Sequence, residues 1–263
     1  MTWIEDWLCA HPAPPAQARP RGIDISYSQI RAYLDCPWQY RLRYVSFLRA
    51  RLTAPAALGL SIHHALEAFH REAGSRWERL LECYDENWVH SGFTTAPEQM
   101  EWYRKGEAIL KTYFDGEAAR RSEIVAVERE FLLPLGAHTL HGTIDRIDRR
   151  PDGDHEVIDY KTHLDIQTEA QAADDLQLGI YGLGADESLA IDPRWLTLYY
   201  VAADRRVSVP YDPDRNELIE ALIMRVADLA ARGRAFAPDT SFCARCGFRE
   251  RCAHSVAKEE PGG

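Results

Sequence analysis

A chain of 263 residues is long enough for one large domain or two small ones, and 46% hydrophobic with 27% charged residues is ordinary globular composition. No run approaches the ~20 apolar residues of a membrane span. Residues 1–20 carry acids and prolines where an export signal needs a basic start and an apolar core, so the expected location is the cytoplasm. A net charge of −10 excludes a generally sticky nucleic-acid binder, but leaves room for a local basic groove and for acidic metal ligands.

Residues 1–21 are rich in Pro and Ala and read as a loosely held, flexible arm. Ser26 or Ser28 then suits the cap of a helix carrying Ile30, Tyr33 and Leu34, which runs on through Cys36-Pro37 to Tyr40, Leu42, Tyr44 and Phe47. Residues 59–71 form a second helix with Ile62, Leu66 and Phe69 on one face. Residues 75–121, rich in aromatics, read as a helical insert. From Ser122 the pattern turns to β: 124–131, 139–147 and 156–160 make a three-strand meander, with Gly136 and Pro151-Asp152-Gly153-Asp154 at its turns. A helix at about 170–183 and a strand at 195–201 follow, with 207–209 placed to pair beside that strand. An amphipathic helix at 214–232, a cysteine- and arginine-rich loop at 243–254 and a disordered tail at 256–263 complete the chain. This order predicts a mixed α/β fold, a central mixed sheet flanked by helices, in a single domain over 22–255.

The chemistry concentrates in Gly142-Thr143-Ile144-Asp145-Arg146-Ile147-Asp148 and Val157-Ile158-Asp159-Tyr160-Lys161-Thr162. Residues two apart on a strand share a face, so Asp159 and Lys161 point together while Ile158 and Tyr160 point away. Antiparallel pairing through the 151–154 turn brings Asp145 alongside Asp159. Two converging carboxylates repel unless a hard cation lies between them, and Mg²⁺ fits because it prefers oxygen ligands and keeps waters. A retained water with its pKa lowered by the metal is a nucleophile for phosphodiester hydrolysis. An ordinary lysine keeps its proton at neutral pH, so Lys161 is assigned to positioning and charge stabilisation rather than to base catalysis.

Of six cysteines, Cys9 and Cys83 stand alone, whereas Cys243, Cys246 and Cys252 form C-x2-C-x5-C. This clustering without an export signal points to metal rather than to disulfides. A soft-metal site wants four ligands, of which this motif supplies three. Four thiolates suit either Zn²⁺ or a [4Fe–4S] cluster.

These residues resemble the RecB/AddB-like branch of the PD-(D/E)xK nuclease superfamily, in particular its iron–sulfur members, which include the CRISPR-adaptation exonucleases. The similarity runs in order over most of the chain: Ser26-Tyr27-Ser28…Tyr33…Cys36-Pro37…Tyr40…Tyr44; Gly59…His63…Glu67; Val127-Glu128; Asp145; Asp159-Tyr160-Lys161; and Gln177…Tyr181. The position before the first aspartate, formally a proline, is Ile144 here. The resemblance implies a restriction-endonuclease-like core. Asp145 and Asp159 would be metal ligands for Mg²⁺ or Mn²⁺, His63 a further ligand, the backbone carbonyl of Tyr160 a completing one, and Lys161 the catalytic lysine. Glu128 would lie on the strand beside the site, and Gln177 with Tyr181 would orient the lysine or the DNA backbone. His64, adjacent to His63, must face elsewhere. The resemblance also turns the choice at Cys36, Cys243, Cys246 and Cys252 from zinc to a structural [4Fe–4S] cluster.

Arg41 and Arg43, with Arg49 and Arg51, follow Cys36, while Arg245 and Arg249, with Arg251, interleave with the later cysteines near Phe242 and Phe248. These clusters suit the phosphates and stacked bases of single-stranded DNA or DNA ends. The expected activity is an exonuclease in DNA repair, recombination or CRISPR adaptation. The competing readings are an idle DNA-binding iron–sulfur subunit and a nuclease module beside a helicase or CRISPR-integrase partner. No G-x-x-x-x-G-K-[ST] loop occurs, so any ATP-driven unwinding must come from a partner.

Overall fold

The computed structural model describes residues 2–13, 21–233 and 236–257. Residues 1 and 14–20 of the arm, residues 234–235 and most of the tail (258–263) therefore lie outside the described residues. Where the sequence suggests one domain, the contacts divide the chain into two compact units. The first comprises Met1–Arg51, Leu132–Gly142 and Asp214–Gly263, and the second comprises Leu52–Phe131 and Thr143–Pro213.

The first unit corrects the reading of the arm. Residues Trp3–Ala10 form helix α1, whose cap Thr2 exchanges hydrogen bonds with Glu5 and which buries Ile4. Helix α2 (Tyr27–Asp35) starts at Ser26, which caps reciprocally with Gln29. It ends at Cys36, and Pro37 opens the short helix α3 (Pro37–Tyr40). The three-residue strand β1 (Asp24–Ser26), too short to register as a pattern, runs parallel to Thr139–His141 at the start of β3 (His138–Arg149). Buried His138 binds this segment by accepting from Ile23 N (3.2 Å) and meeting Asp228 at 3.1 Å on α9 (Asn216–Ala231). Tyr33, Tyr40 and Phe236 pack their rings together beside the helices.

The second unit holds α4 (Ala54–Arg71), α5 (Trp77–Glu86) and α6 (Ala96–Glu117), which bury a continuous cluster of Leu58, Ile62, Leu66, Tyr84, Leu110 and Tyr113 against Ile158, Tyr160 and Tyr199. The 75–121 insert is thus two helices, with Cys83 fully buried among them. Strand β2 (Glu123–Leu135) pairs with β3 (His138–Arg149). The latter turns back through Gly153 at φ +95° into antiparallel β4 (His155–Lys161), with Arg146 opposite Ile158. The crossover after β4 is two helices rather than one, α7 (Glu169–Ala173) and α8 (Leu176–Leu183). The break falls at Asp174–Asp175 because the Asp175 carboxylate caps the second helix through the Gln177 and Leu178 N–H groups. Strand β5 (Pro193–Tyr200) lies parallel to β4, and β6 (Arg205–Pro210) pairs antiparallel to β5, setting Val209 beside Leu196. The sheet order β1-β3-β4-β5-β6, with β2 on β3, is mixed, as the element order suggested. Among the described residues, no helix is long and apolar enough to cross a membrane.

Candidate active site

The second unit gathers the chemistry at the ends of β3 and β4. Asp145 and Asp159 are buried (7% and 2% exposed), an environment in which carboxylates require partners. Asp145 accepts from Tyr160 N at 2.8 Å, which fixes it across the β3–β4 pair. Alternation turns Tyr160 to the opposite face, where its hydroxyl meets Tyr113 at 3.1 Å and Arg146 at 3.4 Å.

Helix α4 supplies His63. Gly59 eases its approach to the end of β4: an added Cβ would sit 3.2 Å from Thr162 Oγ1, close enough that the threonine side chain would have to give by a few tenths of an ångström. One helical turn on, His63 Nε2 donates to the Tyr160 carbonyl at 3.1 Å, and Nδ1 lies 3.4 Å from Asp145 Oδ2. His64 is exposed. Burial lowers the His63 pKa, which keeps the imidazole neutral and ligand-competent at neutral pH.

The third member of the group is Glu128, which sequence reasoning placed only beside the site. Its backbone has φ +45°, uncommon for a residue with a side chain. At this point the alternation of β2 slips: partly buried residues are even-numbered at 124 and 126, whereas the buried ones beyond are Phe131, Leu133 and Leu135. Such a slip is the mark of a bulge, which re-aims one side chain. It brings a Glu128 oxygen within 4.8 Å of ligand atoms of both His63 and Asp145. Burial, then Asp145 and Glu67, push the Glu128 carboxyl up to about 7. Burial and then Asp159 hold the Asp145 carboxyl well above its usual range. A divalent cation would offset the repulsion of acids crowded in this way, and one imidazole with two carboxylates suits Mn²⁺ or Mg²⁺.

Asp159, expected to share the metal with Asp145, turns instead toward Lys161: its Oδ2 is 2.6 Å from Lys161 Nζ. Lys161 donates to Gln177 Oε1 at 2.8 Å, and Gln177 in turn donates to the Tyr181 hydroxyl at 3.0 Å. Residues 177 and 181 are one turn apart on α8, so they present one face to the lysine.

The raised Glu128 pKa has a stability consequence. A carboxyl that binds its proton more tightly folded than unfolded contributes stability below its unfolded pKa, and that contribution is lost as pH rises through about 7. Glu128→Gln is therefore expected to raise the unfolding free energy of the metal-free chain at pH 8 by about 1–2 kcal/mol, after allowance for solvent screening, with little change at pH 4.5. The same variant should lose the stabilisation that Mn²⁺ gives the parent. Urea titrations at the two pH values, with and without Mn²⁺, check both; equal stability of parent and variant at pH 8 would refute the first.

In the first unit, Cys36, Cys243, Cys246 and Cys252 line one cavity with Trp38 and Gln39. The thiols of Cys36, Cys243 and Cys252 are buried. Three sulfurs accept backbone N–H groups: Cys36 from Asp239 (3.3 Å), Cys246 from Phe248 (3.5 Å) and Cys252 from His254 (3.4 Å). Burial raises the Cys246 thiol, and Cys36, Cys252 and Cys243 add to the rise. Of the arginines, Arg41, Arg43 and Arg245 are exposed, while half-buried Arg249 lines the cavity and pairs with Glu250 at 2.9 Å. Arg41 lies over Trp38, and Arg245 lies over Phe242.

The sequence profile of the PD-(D/E)XK nuclease superfamily matches residues 24–253, a span that contains His63, Glu128, Asp145, Asp159, Lys161 and the four cysteines. The chain belongs to the PD-(D/E)XK nuclease superfamily. It is also similar to an ATP-dependent helicase/deoxyribonuclease subunit from Moorella thermoacetica, with 31% identity over 213 residues, 65% of this chain and 18% of that protein. The chain thus spans less than a fifth of the length of that relative. Among solved structures, that of SSO0001 covers 96% of this chain and 93% of its own at 18% identity, with a TM-score of 0.42.

Proposed function

We propose that this chain is a divalent-metal-dependent deoxyribonuclease acting on single-stranded DNA or DNA ends as an exonuclease, with a structural [4Fe–4S] cluster in its first unit. The observation that carries the reading is the convergence of His63, Glu128 and Asp145 beside the Asp159–Lys161 pair. His63, Glu128 and Asp145 would hold Mn²⁺ or Mg²⁺, with Asp159 as an added ligand if it releases Lys161. Bound there, the cation would supply an activated water and offset charge on the scissile phosphate. Lys161, held by Gln177, would place its ammonium against the phosphate oxygens as negative charge develops on them. Neutral His63 and the Tyr160 carbonyl keep the site polar without adding charge.

Incubating the anaerobically purified chain with end-labelled single-stranded DNA and Mn²⁺ or Mg²⁺ tests the reading. Stepwise shortening that depends on the metal is expected; DNA left intact with both metals would reject it. The name of the Moorella relative joins helicase and deoxyribonuclease, which supports a setting in which a helicase partner delivers the strand. Co-purification with an ATPase would favour that arrangement over a CRISPR-integrase partner.

The cysteine cavity supports the cluster because its donors are soft thiols and backbone N–H groups already point at three of the sulfurs. Cys246→Ala is expected to give colourless, poorly soluble protein with iron and acid-labile sulfide lost together. Stable protein with unchanged iron would exclude the assignment, and parent protein carrying zinc without sulfide would replace the cluster with zinc.

A further inference from the structure

Beside the candidate active site, a groove of ≈ 460 Å³ has no part in the chemistry described above. Its walls are Pro55 on α4, Trp102 and Lys105 on α6, and Thr162, His163 and Leu164 in the segment that leaves β4 directly after Lys161. The volume lies within the range of small-molecule sites, and the walls combine a large aromatic with a cation. Trp102 is only partly buried, Leu164 is 67% exposed, and Lys105 Nζ lies over the Trp102 ring at 4.5 Å. Thr162 joins groove and site: it follows Lys161 and abuts Gly59, on the α4 stripe that carries His63.

We infer that this groove takes an unpaired nucleobase of the strand whose phosphate reaches Lys161: Lys105, which lies over the Trp102 ring, swings off to a neighbouring phosphate, and the freed ring face stacks on the base. The inference rests on the nuclease reading, because it is the strand at Lys161 that brings a base to the groove. An aromatic face accepts any base, which suits an enzyme without base-edge contacts. Lys105 meets the phosphate as a point charge from the exposed rim. The chemistry favours one occupant, a flat heterocycle attached to an anion. A base paired within a duplex must first be unpaired and unstacked to enter, so the groove would also favour single strands.

Binding can be measured without cleavage. The full-length Lys161→Ala chain is titrated into a fluorescent single-stranded oligonucleotide, and anisotropy is read for intact strands and for strands with one abasic position moved along the sequence. Adding Trp102→Ala is expected to weaken binding of the intact strand by about tenfold, and Trp102→Phe to retain most of it. Leu164→Ala, at an exposed position that does not threaten the fold, should cost a few-fold. One abasic position should weaken the parent as much as Trp102→Ala does, and should have no further effect in that variant. Trp102→Ala binding that equals the parent's, or a parent indifferent to every abasic position, would overturn the groove assignment. Cleavage by the wild-type chain in Mn²⁺ reports separately on the nuclease reading, so the two fail in different experiments.

Discussion

Lys161→Ala is expected to lower metal-dependent DNA hydrolysis by about 10²–10³-fold in kcat, the cost of removing one preorganised group that stabilises developing charge. The lysine has no freedom to be replaced by a neighbour: its ammonium stands 2.6 Å from Asp159 and 2.8 Å from Gln177, on a strand end fixed by pairing of Lys161 with Tyr200. Mn²⁺ affinity measured by calorimetry should persist or rise, since Asp159 gains freedom to reach the metal. Gln177→Ala should produce a smaller loss of the same kind, because it disorders the lysine without deleting it. Cleavage by Lys161→Ala at the parent rate would remove the lysine from the chemistry, and loss of Mn²⁺ affinity in that variant would recast it as a structural support of the metal site.

The second large effect lies on the opposite face of the same strands. Arg146 is 1% exposed and is held by Asp148 through two hydrogen bonds of 2.5 and 2.7 Å, by Glu117 at 2.7 Å and by the Tyr113 hydroxyl at 3.0 Å. Asp148 is fully buried, so truncating the arginine strands its carboxylate in a low-dielectric interior. Arg146→Ala is expected to destabilise the chain by about 3–5 kcal/mol in urea unfolding. The double variant Arg146→Met with Asp148→Leu should be markedly less damaged than the sum of its single changes, because it removes both charges of the tightest pair. Additive losses would show that Glu117 and the tyrosine hydroxyls, not Asp148, carry the arginine. Tyr160 links this network to the site, since its side chain ends on Arg146 while its backbone meets Asp145 and His63.

Asp145, Asp159 and Lys161 were legible in the sequence because strand alternation is a period of two and the 151–154 turn allows one short antiparallel return. Helix 59–71 and its His63 were legible through apolar spacing and the resemblance around Gly59. The mixed sheet followed from element order, a three-strand meander and then a helical crossover into the strand at 195–201. Cys243, Cys246 and Cys252 stood out by their spacing and Cys36 through the resemblance, and the four line one cavity. Local periodicity and the valence of side chains therefore determined the fold class, the acid–lysine pair and the cysteine set.

The tertiary structure alone decided which acids meet. Glu128 enters the ligand group through a bulge with φ +45°, and no residue pattern marks a bulge whose turning point is a glutamate. Asp159 pairs with Lys161 because residues two apart on a strand share a face and the long lysine side chain reaches back to the carboxylate, a contact that only the final packing sets against one to Asp145. Helix α1, the three-residue β1 and the burial of Arg146 were likewise set by distant contacts: Ile4 by packing, β1 by a parallel partner more than a hundred residues away, and Arg146 by charges on α6 and β3. Short-range pattern specifies what a segment can become; long-range contact specifies which of its polar groups end up facing one another.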